Sequence, residues 1–441
     1  MTAGADELQL ALQALWKAGP LHWDKLYAMP EFEAVKTICV RRFGLRDDRL
    51  GVQSALGDAL QAAGAPFLIS REGGVWNDDL ADAAKTIDHA FRQTQATVRY
   101  ICPLNLADDL PSLSFGNAEI RRFTVTELRD LFQEARLKHY TWINAVNWDK
   151  YAEFQWLVVT DVLLLPENPG ERSIPILYQR FDKDFGAIDP HEPQFPAALD
   201  AVIFFLAAAP WQDWVSWTDF DWHPFKIPWH YTTSTDLLDR PRQPQSHDTL
   251  AWEPYIFPDN DGQEVEIERP IVHPLAQSED IASTFTEAAW SMCQRARTSP
   301  VFAPPVAHFL IKGFMGDGIE EFLAHITTIE ASLGAGSDHV MKGRKGQRHE
   351  KLRATARVAA RVAGLLGKAA AEDDFKVLFK IRSEYLHGAW TGPIPSEKRV
   401  LARQMAQRVV GRLIAHGASS DGGIPREQFL SNMLDAGSPN T

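Results

Sequence analysis

The spacing of apolar residues changes twice along this chain, and those changes restrict its architecture more than any single motif. Up to about residue 95, apolar residues recur every three to four positions in "DELQLALQALW", "EFEAVKTICVRRF", "VQSALGDALQAAG" and "DDLADAAKTIDHAFRQT", with Gly and Pro between them. That spacing predicts a helical N-terminal segment over 1–95. From Val98 to about Arg269, prolines and β-rich runs take over, in "TVRYICPL", "FQWLVVTDVLLL" and "IPILYQRF". Helical insertions interrupt them at "TVTELRDLFQEARL" and "FPAALDAVIFFLAAA". This predicts a mixed α/β middle domain over 96–270. Helical spacing returns from Ile271 to about His416, predicting an all-α domain over 271–418. A polar tail over 419–441 should carry one weak, frayed helix. The expected fold class is therefore α+β and multidomain.

Composition narrows the functional classes. Of 441 residues, 45% are hydrophobic and 23% charged, as in a globular protein with real cores. Cys39, Cys102 and Cys293 lie far apart and form no CxxC pair, which fits a reducing, cytoplasmic location. "MTAGADELQLALQALW" has no basic region ahead of its apolar residues, so it does not read as a signal peptide. The longest apolar run, "AVIFFLAAAP", is too short to span a bilayer, so no membrane partner is expected. The net charge of −13 argues against nucleic-acid binding over the whole surface.

One window departs from that balance. Between Met341 and Ala370 stand nine bases, including Lys345, Arg348, Arg353, Arg357 and Arg361, against one acid, Glu350. At 100° per residue, Arg353, Arg357 and Arg361 share a narrow arc opposite Val358, Val362, Leu365 and Leu366. Two readings stand: a solvated helix face, or a surface that meets phosphates and guides RNA.

Other signals are weaker. Trp211, Trp214, Trp217, Trp222 and Trp229 would suit base stacking or a small-molecule pocket, but such spacing more often marks a domain's own core. His223 and His230, with Asp219 and Asp221, match no metal-ligand pattern and are interrupted by prolines. No GxxxxGK[ST], GxSxG, HExxH or GxGxxG occurs, so no metal or other cofactor is expected.

The stretch "FKIRSEYLHGAW" carries a fixed cation, Arg382, and a titratable imidazole, His387, on one apolar helical run. Arginine, four to six residues, then histidine near a helix end is the signature of the HEPN superfamily. "LFKIRSEYLHG" resembles its Apea-like branch, in which an aromatic and a small apolar step lead into Arg-Ser and a glycine follows the histidine. Upstream, "HITTIEASLG" is similar to that branch's preceding helix with its glutamate, here Glu330. The basic helix lies between the two, and the resemblance covers about Ile271 to His416. "LSFGNAEIRRFTVTELRDLF" is similar to the region that accompanies such domains.

The resemblance implies a C-terminal all-α HEPN-type bundle with metal-independent endoribonuclease activity. It also implies a homodimer and a role in phage defence or growth arrest, with a phage-derived trigger or regulatory protein as a further partner. The chemistry agrees, because RNA supplies its own nucleophile, the 2′-hydroxyl. His387 would act as general base or acid, and Arg382 would grip phosphate oxygens with its planar fork. Ser383 would supply a hydrogen bond, and Glu330 completes the expected catalytic group. An i, i+5 spacing rotates two side chains by about 140°, so one helix makes an incomplete site. The family completes it by dimerising. The alternative reading pairs Arg382 with Glu330 or Glu384 in a relic that only dimerises or binds RNA or a protein partner.

Overall fold

The computed structural model describes residues 3–18, 23–45, 49–68, 75–140, 143–178, 184, 186–189, 192–216, 221–258, 262–276, 278–339, 349–419 and 423–438. It is mixed α and β, mainly helical, with a small sheet. The chain gathers into two compact units. The first holds Met1–Asn105, Arg122–Ala187 and Pro228–Pro270; the second holds Leu106–Arg121, Ile188–Ile227 and Ile271–Thr441. Among the described residues, no helix is long and apolar enough to cross a membrane.

In the first unit, the helical spacing of the N-terminal segment forms α1 (Ala3–Trp16), α2 (Pro30–Phe43), α3 (Arg49–Ala62) and α4 (Leu80–Arg92). Leu8, Leu12 and Leu15 fall on one face of α1 and join Phe32, Val35, Leu56, Leu60 and Ile87 in a single core. Asp79 starts α4 by accepting hydrogen bonds from the Ala81 and Asp82 backbone. The runs read as strands from "TVRYICPL" and "FQWLVVTDVLLL" form β1 (Gln95–Leu104) and β2 (Gln155–Leu164). They pair antiparallel, from Gln95 opposite Leu164 to Leu104 opposite Gln155. β3 (Tyr231–Ser234) pairs with the other edge of β1. A second core of Phe132, Trp148, Tyr151 and Trp156 packs with Ile101 of β1 and Tyr231 of β3. The described part of "IPILYQRF" is not a strand: Pro175–Tyr178 forms a 3₁₀ turn with Ile176 and Leu177 exposed, and 179–181 lie outside the described residues. Pro175 has no N–H to give to a ladder.

The second unit contains α5 (Ala197–Ala207), α6 (Glu287–Arg297), α7 (Pro304–Met315) and α8 (Gly318–Leu333). They are followed by α9 (Ala354–Leu366), α10 (Ala370–Leu386), α11 (Ser396–Gly417) and α12 (Arg426–Gly437). α5 is apolar nearly all round, and Leu199 and Val202 to Ala207 are buried, as such a helix requires. α9 is central, packing against α8, α10, α11 and α12. The tail is not frayed at its helix. α12 buries Phe429, Leu430 and Leu434. It also crosses α9 so closely that a Cβ on Gly364 would meet the Met433 carbonyl, and one on Gly437 the Ala360 carbonyl.

Candidate active site

α10 begins with Glu372 and Asp373 near its positive end. It buries Ala371, Phe375, Leu378 and Ile381 at helical spacing. Arg382 leaves the helix on a half-buried flank. Its Nη2 lies 3.8 Å from Glu330 Oε2 on α8, an ion contact beyond hydrogen-bond length. The pairing of Arg382 with Glu330, read from sequence as one alternative, is thus present. The Arg382 guanidinium also lies 5.8 Å from the centroid of the Phe379 ring, one turn back. Ser383 follows, half-buried, and its carbonyl accepts the His387 backbone N–H at 3.1 Å. His387 is the exposed C-cap of α10. Gly388, at φ +72°, takes the left-handed conformation that lets the chain leave the helix there. The fold therefore brings Arg382 and Glu330 together and holds His387 at the solvent-facing end of the same helix.

Glu330 sits where α8 approaches α10. Burial pushes its carboxyl above the usual range, opposed by the positive fields of Arg382 and His339. Oε2 is shielded from solvent and has no hydrogen-bond partner among the described residues. Beside it opens a cleft of about 270 Å³, whose lining includes His339, Thr355, Val358, Phe375 and Phe379. His339 ends a 3₁₀ turn, Gly336–His339, and is exposed. A lone histidine outside any recognised spacing gave no signal in the sequence. Its place beside Glu330 comes from the turn.

That turn is anchored by a residue assigned to a different task. Arg361, expected on an exposed RNA-facing stripe, is only 4% exposed. Its Nη1 and Nη2 fork onto the Asp338 carboxylate, with Nη2–Oδ1 at 3.0 Å. It also donates to the Leu333 carbonyl at 2.9 Å and the Leu430 carbonyl at 3.2 Å. The stripe fails at this position because α9 is covered on several sides, so sharing an arc with Arg353 does not mean sharing its exposure. Arg357 is half-buried and donates to the His349 and Leu352 carbonyls. Arg353 is exposed at the N-cap of α9. Lys345 and Arg348 lie outside the described residues.

The weaker signals also resolve. Trp211, Trp214 and Trp222 are buried core, and Trp229 is half-buried with its Nε1 donating to Thr249. Trp217 and Asp219 lie outside the described residues. Asp221 and His223 gather with Asp317, a residue the sequence reading did not include. Lys226 reaches Asp221 at 3.3 Å and Asp317 at 2.8 Å, so an ammonium already neutralises these carboxylates. His223 bonds Asp221 through Nδ1, and these partners hold Asp221 well below the usual carboxylate range despite its burial.

No protein family, curated protein or solved structure matches this chain. Its class is that of a mainly helical α/β protein of two compact units, the second carrying a histidine-capped helix and an arginine–glutamate pair beside a small cleft.

Proposed function

We propose that this protein is a metal-independent RNA endonuclease of HEPN type, acting as a cytoplasmic homodimer in phage defence or growth arrest. The observation that carries the reading is the end of α10. Arg382 is held on one flank beside Glu330, and His387 stands exposed at the cap with a glycine release behind it. An exposed imidazole can take the 2′-hydroxyl proton or give one to the 5′-oxygen leaving group. A partly exposed guanidinium can neutralise the phosphorane. Ser383, half-buried between them in sequence, is a hydrogen-bond donor for a phosphate oxygen.

The same helix supports dimerisation. Tyr385 and Leu386, next to His387, are 39% and 53% exposed at the end of α10 and offer apolar area to a second copy. Two copies would bring two histidines to one phosphate, supplying base and acid separately. The N-terminal part acts in this reading as sensor or restraint, released by a phage-derived trigger or regulatory protein.

A second reading, a catalytically silent dimerisation module that binds RNA or a protein, is favoured by one observation. Arg382 already faces a carboxylate, which competes with phosphate for it. Incubating the purified protein with RNA in EDTA separates the two. The nuclease yields 2′,3′-cyclic phosphate and 5′-hydroxyl ends, and His387→Ala lowers the rate by about 10²–10⁴-fold. Loss of cleavage on chelation, 5′-phosphate ends, or full activity in His387→Ala would overturn it.

A further inference from the structure

We propose that the cleft beside Glu330 is a nucleobase subsite that selects guanine next to the cleaved phosphate, Glu330 reading the base and Phe379 stacking on it; this rests on the RNA-cleavage reading above.

Size is the first argument. At about 270 Å³ the cleft falls just below the range of drug-sized sites, about 300–1,000 Å³. It suits one planar ring system with little besides.

The walls are the second. Phe379 presents part-exposed aromatic surface, with the fully buried Phe375 ring behind it at a centroid distance of 6.1 Å, and Val358 adds an apolar edge. Gly334 and Gly336 contribute backbone without side chains, and a Cβ on Gly336 would meet nothing within 4 Å. Aromatic and aliphatic walls accept any base by stacking, so the choice among bases must come from the polar part of the lining; there Asp338 is held by Arg361, His339 and Thr355 each bring a single group, and one carboxylate has an oxygen with no hydrogen-bond partner among the described residues.

That group is Glu330. Its Oε2 is closed to solvent and lacks a hydrogen-bond partner among the described residues; a buried acceptor in that state costs free energy, so a turn of the part-exposed side chain that brings it to a donor in the cleft is favoured. A carboxylate has two acceptor oxygens side by side. Guanine alone among the four RNA bases offers two adjacent donors on its Watson–Crick edge, N1–H and the N2 amino group. Adenine and cytosine set one amino group beside an acceptor nitrogen, and uracil sets one N–H between two carbonyls. Each of those would push an acceptor against the carboxylate. Burial raises the pKa of this carboxyl, and the positive fields of Arg382 and His339 oppose that rise, towards the ionised form that guanine requires.

Placement connects the subsite to the chemistry. Phe379 lines the cleft and also carries the Arg382 guanidinium over its ring. Glu330 lines the cleft and also contacts Arg382. A base in the slot therefore brings its own phosphate towards Arg382.

The test uses the full-length protein and two separate readouts. Calorimetric titration with guanosine 3′-monophosphate and adenosine 3′-monophosphate needs no catalysis. Binding of the guanosine nucleotide is expected to be about 10- to 100-fold tighter, the range of one bidentate contact. Glu330→Gln, close to isosteric, should erase that ratio, whereas Phe379→Ala should weaken both nucleotides together. In the second readout, oligoribonucleotides carrying a single G, A, C or U beside the cut should show the same ratio in kcat/KM, with the same collapse in Glu330→Gln. Equal binding of the two nucleotides, or an unchanged ratio in Glu330→Gln, overturns the subsite. Cleavage with no base preference also overturns it and leaves the nuclease reading standing. Guanine-selective binding without any cleavage upholds the subsite and overturns the nuclease reading.

Discussion

Replacing Arg361 with alanine tests the reassignment of that residue from RNA contact to buried anchor. In the folded protein Arg361 satisfies both oxygens of Asp338, itself 3% exposed, and two backbone carbonyls. Alanine leaves a buried carboxylate with only the Ala335 N–H, at 2.9 Å, among these partners. Breaking a buried, hydrogen-bonded pair from one side costs about 3–5 kcal/mol. A large domain loses about 2–4 °C of Tm per kcal/mol, so the second unit should melt roughly 6–20 °C lower. Thermal and urea unfolding by circular dichroism would show this. Arg353→Ala, on the exposed end of the same helix, is the control and should stay within about 0.5 kcal/mol of wild type. The double change Arg361→Leu with Asp338→Ala removes both charges and should recover part of the loss, because the pair is strongly coupled. If Arg361→Ala matches Arg353→Ala, the buried anchor is wrong and the exposed stripe returns.

Three further outcomes are expected. Burial, with the nearby Arg403 and His223, pushes the His325 pKa down to about 3, below its ordinary value of 6.5. Its contribution to stability is therefore complete above about pH 6.5 and is lost as pH falls from there towards 3; unfolding free energies from urea titrations at about pH 7.5 and 5 should differ by roughly 2 kcal/mol from this residue, and His325→Phe should lack that part of the slope. If RNA runs along the α9 end, Arg353→Ala should reduce the salt dependence of single-stranded RNA binding by about 0.7 units, seen as a shallower plot of log affinity against log salt. Gly437→Ala drives a Cβ into the Ala360 carbonyl, so it should cost about 1–3 kcal/mol or more in urea unfolding even though alanine is the better helix former.

What the sequence discloses here is what is local. The three-to-four spacing of Leu8, Leu12 and Leu15 identifies a buried helix face without reference to a partner. Arg382, Ser383, His387 and Gly388 lie on one helix end, so their order along the chain already describes their surroundings. Glu330 and His339 belong to other elements, and only packing sets Glu330 beside Arg382 and His339 beside Glu330. A helical wheel misplaces Arg361 because it tells which residues share a face and not how many faces are covered. The deeper reason lies at the end of α8. Gly334 follows that helix with an extended backbone, φ −80° and ψ 150°, not the left-handed cap that would satisfy the last carbonyls locally. Those carbonyls face the interior and need donors from elsewhere. Arg361 supplies Leu333, while Arg426, at the start of α12, donates to Ala331 at 2.7 Å and Ser332 at 2.9 Å. Two arginines from distant parts of the chain thus replace a local cap. Part of the positive charge counted in the basic window is spent inside the fold, holding the helix that carries Glu330 and the turn that carries His339. A charge count along the chain cannot separate that use from a phosphate-binding one, because both ask for the same side chain; only the burial of its partners tells them apart.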